Sequence, residues 1–399
     1  MTNISFENTE IAFKYKSDKE LKRAKFLFST MAKPLLVKLG TKITPFLIKA
    51  NFPINGLIRK TIFSQFVGGE SLEETSNVVK KLDPFNVQVI LDYGVEGKEG
   101  EENFDRAADE FIKVIQYAAT QPHVPFMSIK LTGLVRFGLL EKLHSSADYN
   151  DTINGIISVN KLNDTEKTEW NKFVTRLEKI CKTANESDTG VLIDAEETWI
   201  QNPVDAITMQ MMQKFNSSKP VVYNTVQMYR HDRLQFLKDS YDACVKNHFL
   251  LGMKPVRGAY MEKERKRAAL MNYPSPIQPD KEHTDADYNA ALEFCIEHID
   301  DIYLIVASHS EVSNLYATQL MDKKGIAHEN GHVLFSQLYG MSDNITFNLA
   351  SAGFNASKYL PFGPIKDVIP YLMRRAQENS SVSGQTGREL SLINKEIKR

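Results

Sequence analysis

Beyond residue 85 the sequence alternates short, β-prone apolar runs with longer amphipathic stretches, and this alternation restricts the fold more than any other feature of the chain. Eight runs read as strands: 87–95, 126–134, 190–198, 221–229, 251–260, 302–310, 332–340 and 356–363. Between them, 104–120, 166–186, 204–216, 233–247, 288–299 and 311–323 carry apolar residues at helical spacing. Such repeated units predict an α/β chain folded as a (β/α)8 TIM barrel. Residues 1–85 read as a helical N-terminal arm and 86–390 as the barrel. Residues 262–284 read as a long loop rich in charge and proline. A polar tail covers 379–399, its last stretch, 391–399, lying beyond the barrel domain.

Barrels of this kind place their chemistry at the carboxyl ends of the strands. Those ends carry Lys130, Asp194 with Glu196, Gln227, Arg257, His309 and Gln337. Buried ionised groups are costly unless paired or used, so this concentration of polar ends points to an enzyme rather than a scaffold.

The rest of the composition excludes several classes. With 42% apolar and 25% charged residues the chain has an ordinary globular makeup. No apolar run reaches the roughly 18–20 residues of a membrane span, and the start lacks the layout of a secretory signal. Cys181, Cys244 and Cys295 are odd in number and widely spaced, which fits a reducing compartment and no disulfide framework. A cytoplasmic protein is expected. The net charge of −1 conceals an asymmetry: residues 14–60 hold 12 Lys or Arg against Asp18 and Glu20. Interleaved with Phe26, Leu27, Phe28, Leu35, Leu36, Phe46, Leu47 and Ile48, this charge suits either a solvated arm packed on an acidic domain or a helix seated on an anionic membrane. A pI near 6.8 and no recognisable binding motif argue against a nucleic acid partner.

Several motifs need weighing. His328-Glu-Asn-Gly-His332 has zincin spacing, but Asn330-Gly331 is a turn dipeptide, so the two histidines are not expected on one helix face and no metal site is assigned. Neither a dinucleotide glycine fingerprint nor a P-loop occurs. Lys130 at a strand end could serve a Schiff-base lyase, with Asp194 as proton relay. In the final helix Arg374 and Arg375 stand four and three residues before Glu378, so one carboxylate can steady two guanidinium forks suited to a carboxylate or phosphate ligand. A surface ion-pair ladder would show the same spacing.

Ten segments, taken in order, resemble the proline dehydrogenase family: FVGGES (66–71), LDYGVEG (91–97), IKLTGL (129–134), LIDAEET (192–198), YNTVQMY (223–229), KPVRGAYMEKER (254–265), ASHS (307–310), FSQLYGM (335–341), KYLPFGP (358–364) and YLMRRAQENSS (371–381). The resemblance runs from about residue 60 to 390. It implies oxidation of L-proline to Δ1-pyrroline-5-carboxylate in proline catabolism, with hydride passed to FAD and electrons then to a membrane quinone. It implies that Arg374, Arg375 and Lys130 hold the substrate carboxylate, that Tyr260 and Tyr359 close over the ring, and that Glu378 orients the arginines. Asp194 and Lys254 match catalytic positions beside the flavin, Lys254 standing where some members have arginine. Ala195, Gln227, Val256, Arg257, Gly258, Ala259, Ser308, His309 and Gln337 fall on FAD-binding positions. Ser308-His309-Ser310 departs from the commoner Thr-His-Asn, so Ser310 is left unassigned. Tyr359 implies preference for proline over hydroxyproline, with hydroxyproline dehydrogenase the near alternative. A chain of 399 residues cannot hold the fused aldehyde dehydrogenase of bifunctional relatives, so a separate pyrroline-5-carboxylate dehydrogenase is the expected downstream partner. A bilayer acceptor adds weight to peripheral contact with the inner face of a membrane, the matrix side in a mitochondrion.

Overall fold

In a computed structural model the eight apolar runs form β1 Val87–Tyr93, β2 Phe126–Ile129, β3 Gly190–Ile193, β4 Val222–Gln227, β5 Leu251–Val256, β6 Ile302–Ala307, β7 Val333–Leu338 and β8 Ala356–Phe362. They close in sequence order into a parallel (β/α)8 barrel. The structure describes residues 4–49, 55–94, 99–381 and 383–399, without the side chains of 42–49, 378–381 and 383–385. Every strand ends earlier than the sequence suggests. The last β2–β3 pair is Ile129 with Ile193, after which Leu131–Gly133 turns as a 3-10 helix. Leu131 and Leu134 are as buried as strand residues, so hydrophobicity cannot mark where pairing stops.

Two compact units divide the chain: residues 97–335, and residues 1–96 with 336–399. In the first, the period of two along paired strands sets Tyr223 beside Gly252, Thr225 beside Lys254 and Gln227 beside Val256. A Cβ on Gly252 would stand 2.7 Å from the Tyr223 ring, which explains the glycine. The same ring meets Phe126 edge-on at 5.2 Å. Aromatic rings thus fill this level, and the polar residues lie nearer the carboxyl ends.

The flanking helices match the amphipathic stretches, with Asp164–Glu186 opened by a reciprocal capping box between Asn163 and Glu166. One expectation fails. The supposed loop 262–284 contains a helix, Met261–Met271, and the start of another, Lys281–Glu297, leaving only 272–280 irregular. MEKERKRAALM is made of strong helix formers, but it buries only Glu264 and Ala268, so it shows no apolar stripe to read.

In the second unit the arm holds the helices Thr9–Phe13, Asp18–Met31, Pro34–Lys49 and Leu72–Leu82. Leu21, Ala24, Phe28 and Met31, spaced at three and four, enter one core with Leu372 and Leu392. The polar tail is a correction too. Ile365–Ser381 is followed by a second helix, Ser383–Lys398, whose Leu392 and Ile393 are buried among otherwise polar neighbours. Other apolar residues of the arm stay in solvent. Phe26, Leu35, Leu36, Leu39 and Leu57 are exposed, Leu35 by 82%, among exposed Lys22, Lys25, Lys33, Lys38 and Lys60. Phe46, Leu47 and Ile48 have side chains outside the described residues.

A buried charge cluster ties this unit together. Asp343 sits 2.8 Å from Lys16 Nζ and 2.9 Å from Lys358 Nζ, and accepts the Tyr15 hydroxyl at 2.8 Å. Lys358 also donates to the Met341 carbonyl at 2.6 Å. Glu389 accepts the Ser342 amide. Burial raises the Glu389 carboxyl from 4.5 to about 7, while the two lysines hold Asp343 well below the usual carboxylate range despite its burial. Between pH 4.5 and 7 the folded chain therefore keeps a proton on Glu389 that the unfolded chain releases. Stability from this group is fully present below about pH 4.5 and is lost as pH rises through 7. Glu389→Gln is expected to remove on the order of 2 kcal/mol of the decline between pH 5 and 8 in urea unfolding. Equal slopes in variant and parent would refute the assignment.

All three cysteines are free and fully buried. Burial pushes the Cys181 and Cys244 thiols up to about 12, and Cys295 higher still.

Candidate active site

In residues 97–335 the strand ends bring several expected residues together. Lys254, on β5, is ion-paired with Asp194, the residue after β3, and their side chains are 6% and 15% exposed. Gln227, last on β4, donates to the Glu196 carbonyl at 2.8 Å, so β4 braces the loop that carries Asp194 and Ala195. Glu196, which the family motifs leave without a role, turns its carboxylate to Thr132, accepting the hydroxyl at 2.7 Å and the amide at 3.3 Å. Burial lifts this carboxyl to about 7 against the pull of Lys130 and Thr132. Lys130 directly follows β2.

Arg257 lies just past β5 and is fixed on several sides. Its guanidinium donates to Asp285 at 2.6 Å, Ser308 at 2.7 Å and Ser313 at 2.9 Å, and stacks 4.4 Å from the centre of the buried Tyr288 ring. Arg257 and Ser308 are therefore joined, whereas Asp285, Ser313 and Tyr288 had no sequence signal because they come from helices far along the chain. Ser310 uses its hydroxyl to cap the helix Glu311–Lys324. His309 sits between Ser308 and Ser310, partly buried.

The Val256-Arg257-Gly258-Ala259-Tyr260 stretch turns out of the barrel through Gly258, at φ +132°. A Cβ there would lie 2.4 Å from the Tyr229 ring, so both conformation and space require glycine. Tyr260 then opens the helix Met261–Met271.

In the other unit, Tyr359 is the fourth residue of β8, paired with Ile90. Gln337 accepts the Thr346 hydroxyl at 2.7 Å. Arg374 and Arg375 lie in the middle of Ile365–Ser381, with Arg375 5.4 Å from the Tyr371 ring centre and 9% exposed. The Glu378 side chain falls outside the described residues.

The zincin-like stretch is a turn. His328 contacts Asp322 at 3.2 Å and His332 the Ile299 carbonyl at 2.7 Å, and no cluster of metal-ligating side chains occurs among the described residues.

A closed (β/α)8 barrel whose strand ends carry a buried ion pair and a fixed guanidinium defines a barrel enzyme. Residues 75–388 match the model of the proline dehydrogenase family, and the chain belongs to that family of oxidoreductases. It is 34% identical over 378 residues to mitochondrial proline dehydrogenase 1 of Dictyostelium discoideum, covering 87% of this chain and 66% of that one. It is 33% identical over 421 residues to hydroxyproline dehydrogenase of Xenopus laevis, covering 99% and 90%. Among solved structures, proline utilization A from Bdellovibrio bacteriovorus, inactivated by N-propargylglycine, aligns with a TM-score of 0.69 at 20% identity, over 94% of this chain and 37% of that chain. The chain thus spans about two thirds of the Dictyostelium relative and little more than a third of the solved one.

Proposed function

We propose that this chain oxidises L-proline to Δ1-pyrroline-5-carboxylate with FAD as hydride acceptor, passes the electrons to a membrane quinone, and leaves the product to a separate pyrroline-5-carboxylate dehydrogenase. The observation that carries this reading is the buried Lys254–Asp194 ion pair, together with the fixed Arg257 just past β5. The donor set fits a flavin: Arg257 has five N–H donors with three engaged, and the buried Thr225 hydroxyl, paired in register with Lys254, has no hydrogen-bond partner among the described residues. FAD, when bound, supplies a two-electron acceptor for hydride from the carbon next to nitrogen.

The chain's own residues do the remaining work. Lys254 and Arg257 present positive charge where negative charge develops, and their partners hold them in place beforehand. Arg374, Arg375 and Lys130 bind the substrate carboxylate. Their charge disfavours protonation of the secondary amine, which must hold a free lone pair for hydride to leave. Asp194 keeps Lys254 oriented, and Tyr260 and Tyr359 close over the ring.

The test is the visible spectrum of the purified protein under anaerobic conditions. An oxidised-flavin band bleached by L-proline is the expected result, together with inactivation by N-propargylglycine. No flavin band after reconstitution with FAD would overturn the reading in favour of a Lys130 lyase, which borohydride would trap with a carbonyl substrate. The Xenopus relative makes hydroxyproline the second candidate substrate. Tyr359 decides between them by occupying the space of a ring hydroxyl, so Tyr359→Ser is expected to narrow the proline-to-hydroxyproline ratio of kcat/KM about tenfold or more, roughly the discrimination that packing gives. An unchanged ratio counts against this role.

A quinone acceptor calls for contact with a membrane at its inner face, and the exposed Phe26, Leu35, Leu36 and Leu39 among lysines suit an anionic lipid surface. No helix among the described residues is long and apolar enough to cross a membrane.

A further inference from the structure

Helix Met261–Met271 is mounted on the barrel in an unusual way. It leaves Met261, Leu270 and Met271 exposed, so apolar burial does little to hold it. Its one fully buried side chain with charge is Glu264, at 0% exposure. That carboxylate accepts the Thr198 amide at 2.8 Å and the Thr198 hydroxyl at 2.6 Å. Thr198 is the first residue of the helix Thr198–Phe215, whose own N-cap, Glu197, makes no side-chain capping bond. The first amides of a helix lack internal partners and favour negative charge, so a carboxylate from another element serves here as the missing cap. Further contacts surround it. Lys263 pairs with Glu197, and Arg267 pairs with Glu141 and stacks 4.3 Å from the Trp199 ring centre.

The two ends of this latch lie next to residues with assigned roles. Thr198 ends the segment that starts with Asp194. Glu264 stands one helical turn after Tyr260, whose carbonyl accepts the Glu264 amide at 2.9 Å.

We propose that Glu264 is a positioning residue: by capping the helix after β3 from the helix after β5, it fixes Tyr260 relative to the Asp194 loop. This rests on the proline-oxidation reading, in which Tyr260 closes over the substrate ring. Losing the latch frees the helix Met261–Met271 and weakens substrate binding more than the chemical step.

Glu264→Ala is expected to raise the KM for L-proline about tenfold, with kcat changed less than threefold, when assayed with a water-soluble electron acceptor. Amides of residues 261–271 should exchange with solvent faster, and those of the neighbouring Lys281–Glu297 helix should not. In a Tyr260→Ala background the effect of Glu264→Ala on KM should fall below twofold, because the latch acts through that tyrosine. Thr198→Val, which keeps the amide donor and loses the hydroxyl, should lie between, at about threefold, and carries the test if Glu264→Ala does not fold. A KM within twofold of the parent, or an effect that simply adds to that of Tyr260→Ala, would overturn the proposal. If L-proline does not reduce the parent protein, the proline reading fails while the exchange measurement still decides whether Glu264 holds the helix.

Discussion

Asp343→Ala is expected to lower the unfolding free energy by about 3–5 kcal/mol, the usual cost of removing one partner from a buried ion pair. The substitution leaves Lys358, at 0% exposure, and Lys16, at 9% for its side chain, with like charges facing a space that held their shared counterion. It also strips the Tyr15 hydroxyl of its acceptor. The damage joins distant parts of the chain, since Lys16 follows the first helix, Lys358 lies in β8 and Asp343 opens the helix Asp343–Ser351. Urea unfolding at pH 7 measures it. A loss under 1 kcal/mol would mean the lysines find other partners. Asp343→Asn should cost less than alanine, because the amide oxygen still accepts hydrogen bonds although the charge is gone. Because the folded carboxyl is held below its ordinary value, its contribution is present above about pH 4 and lost as pH falls below it.

In the proposed reaction, Lys254→Met should slow reduction of the flavin by L-proline roughly 10²–10³-fold, the range seen when one preorganised electrostatic group is removed from a reaction centre. Methionine keeps much of the length and apolar bulk of the lysine stem, so packing changes little while Asp194 loses its ion pair with Lys254. Stopped-flow reduction at saturating proline separates this effect from binding. Lys254→Arg should recover part of the rate, since it restores the charge with a different shape. A methionine variant within threefold of the parent would remove Lys254 from the catalytic set.

The eight strands could be read from the sequence because short apolar runs and long amphipathic ones alternate, and pattern is what a barrel imposes on its chain. Asp194 is legible as a charged strand end and Lys254 only through the family motifs, and the structure pairs them. What the sequence hid depends on partners far along the chain. Nothing in MEKERKRAALM shows that Glu264 is buried, because its exposure is decided by Thr198, sixty-six residues earlier. The family resemblance offers Arg257 as a residue for the flavin, but its support by Asp285, Ser313 and Tyr288 arises only when the helices that follow β5 and β6 come together. The helix Ser383–Lys398 looked like a polar tail for the same reason. Its Leu392 and Ile393 count for little until the arm supplies Leu21 and Phe28 to pack with them.

The three interior thiols make the native molecule chemically silent toward disulfide reagents. At neutral pH a thiol held near 12 offers almost no thiolate, and none of the three is open to solvent. Their reaction with an aromatic disulfide therefore times the opening of the fold itself, without any engineered reporter. The same silence gives a blank background: one cysteine introduced on the exposed side of the arm, in place of Leu35 for instance, could carry a polarity-sensitive dye that reports on whatever that side meets.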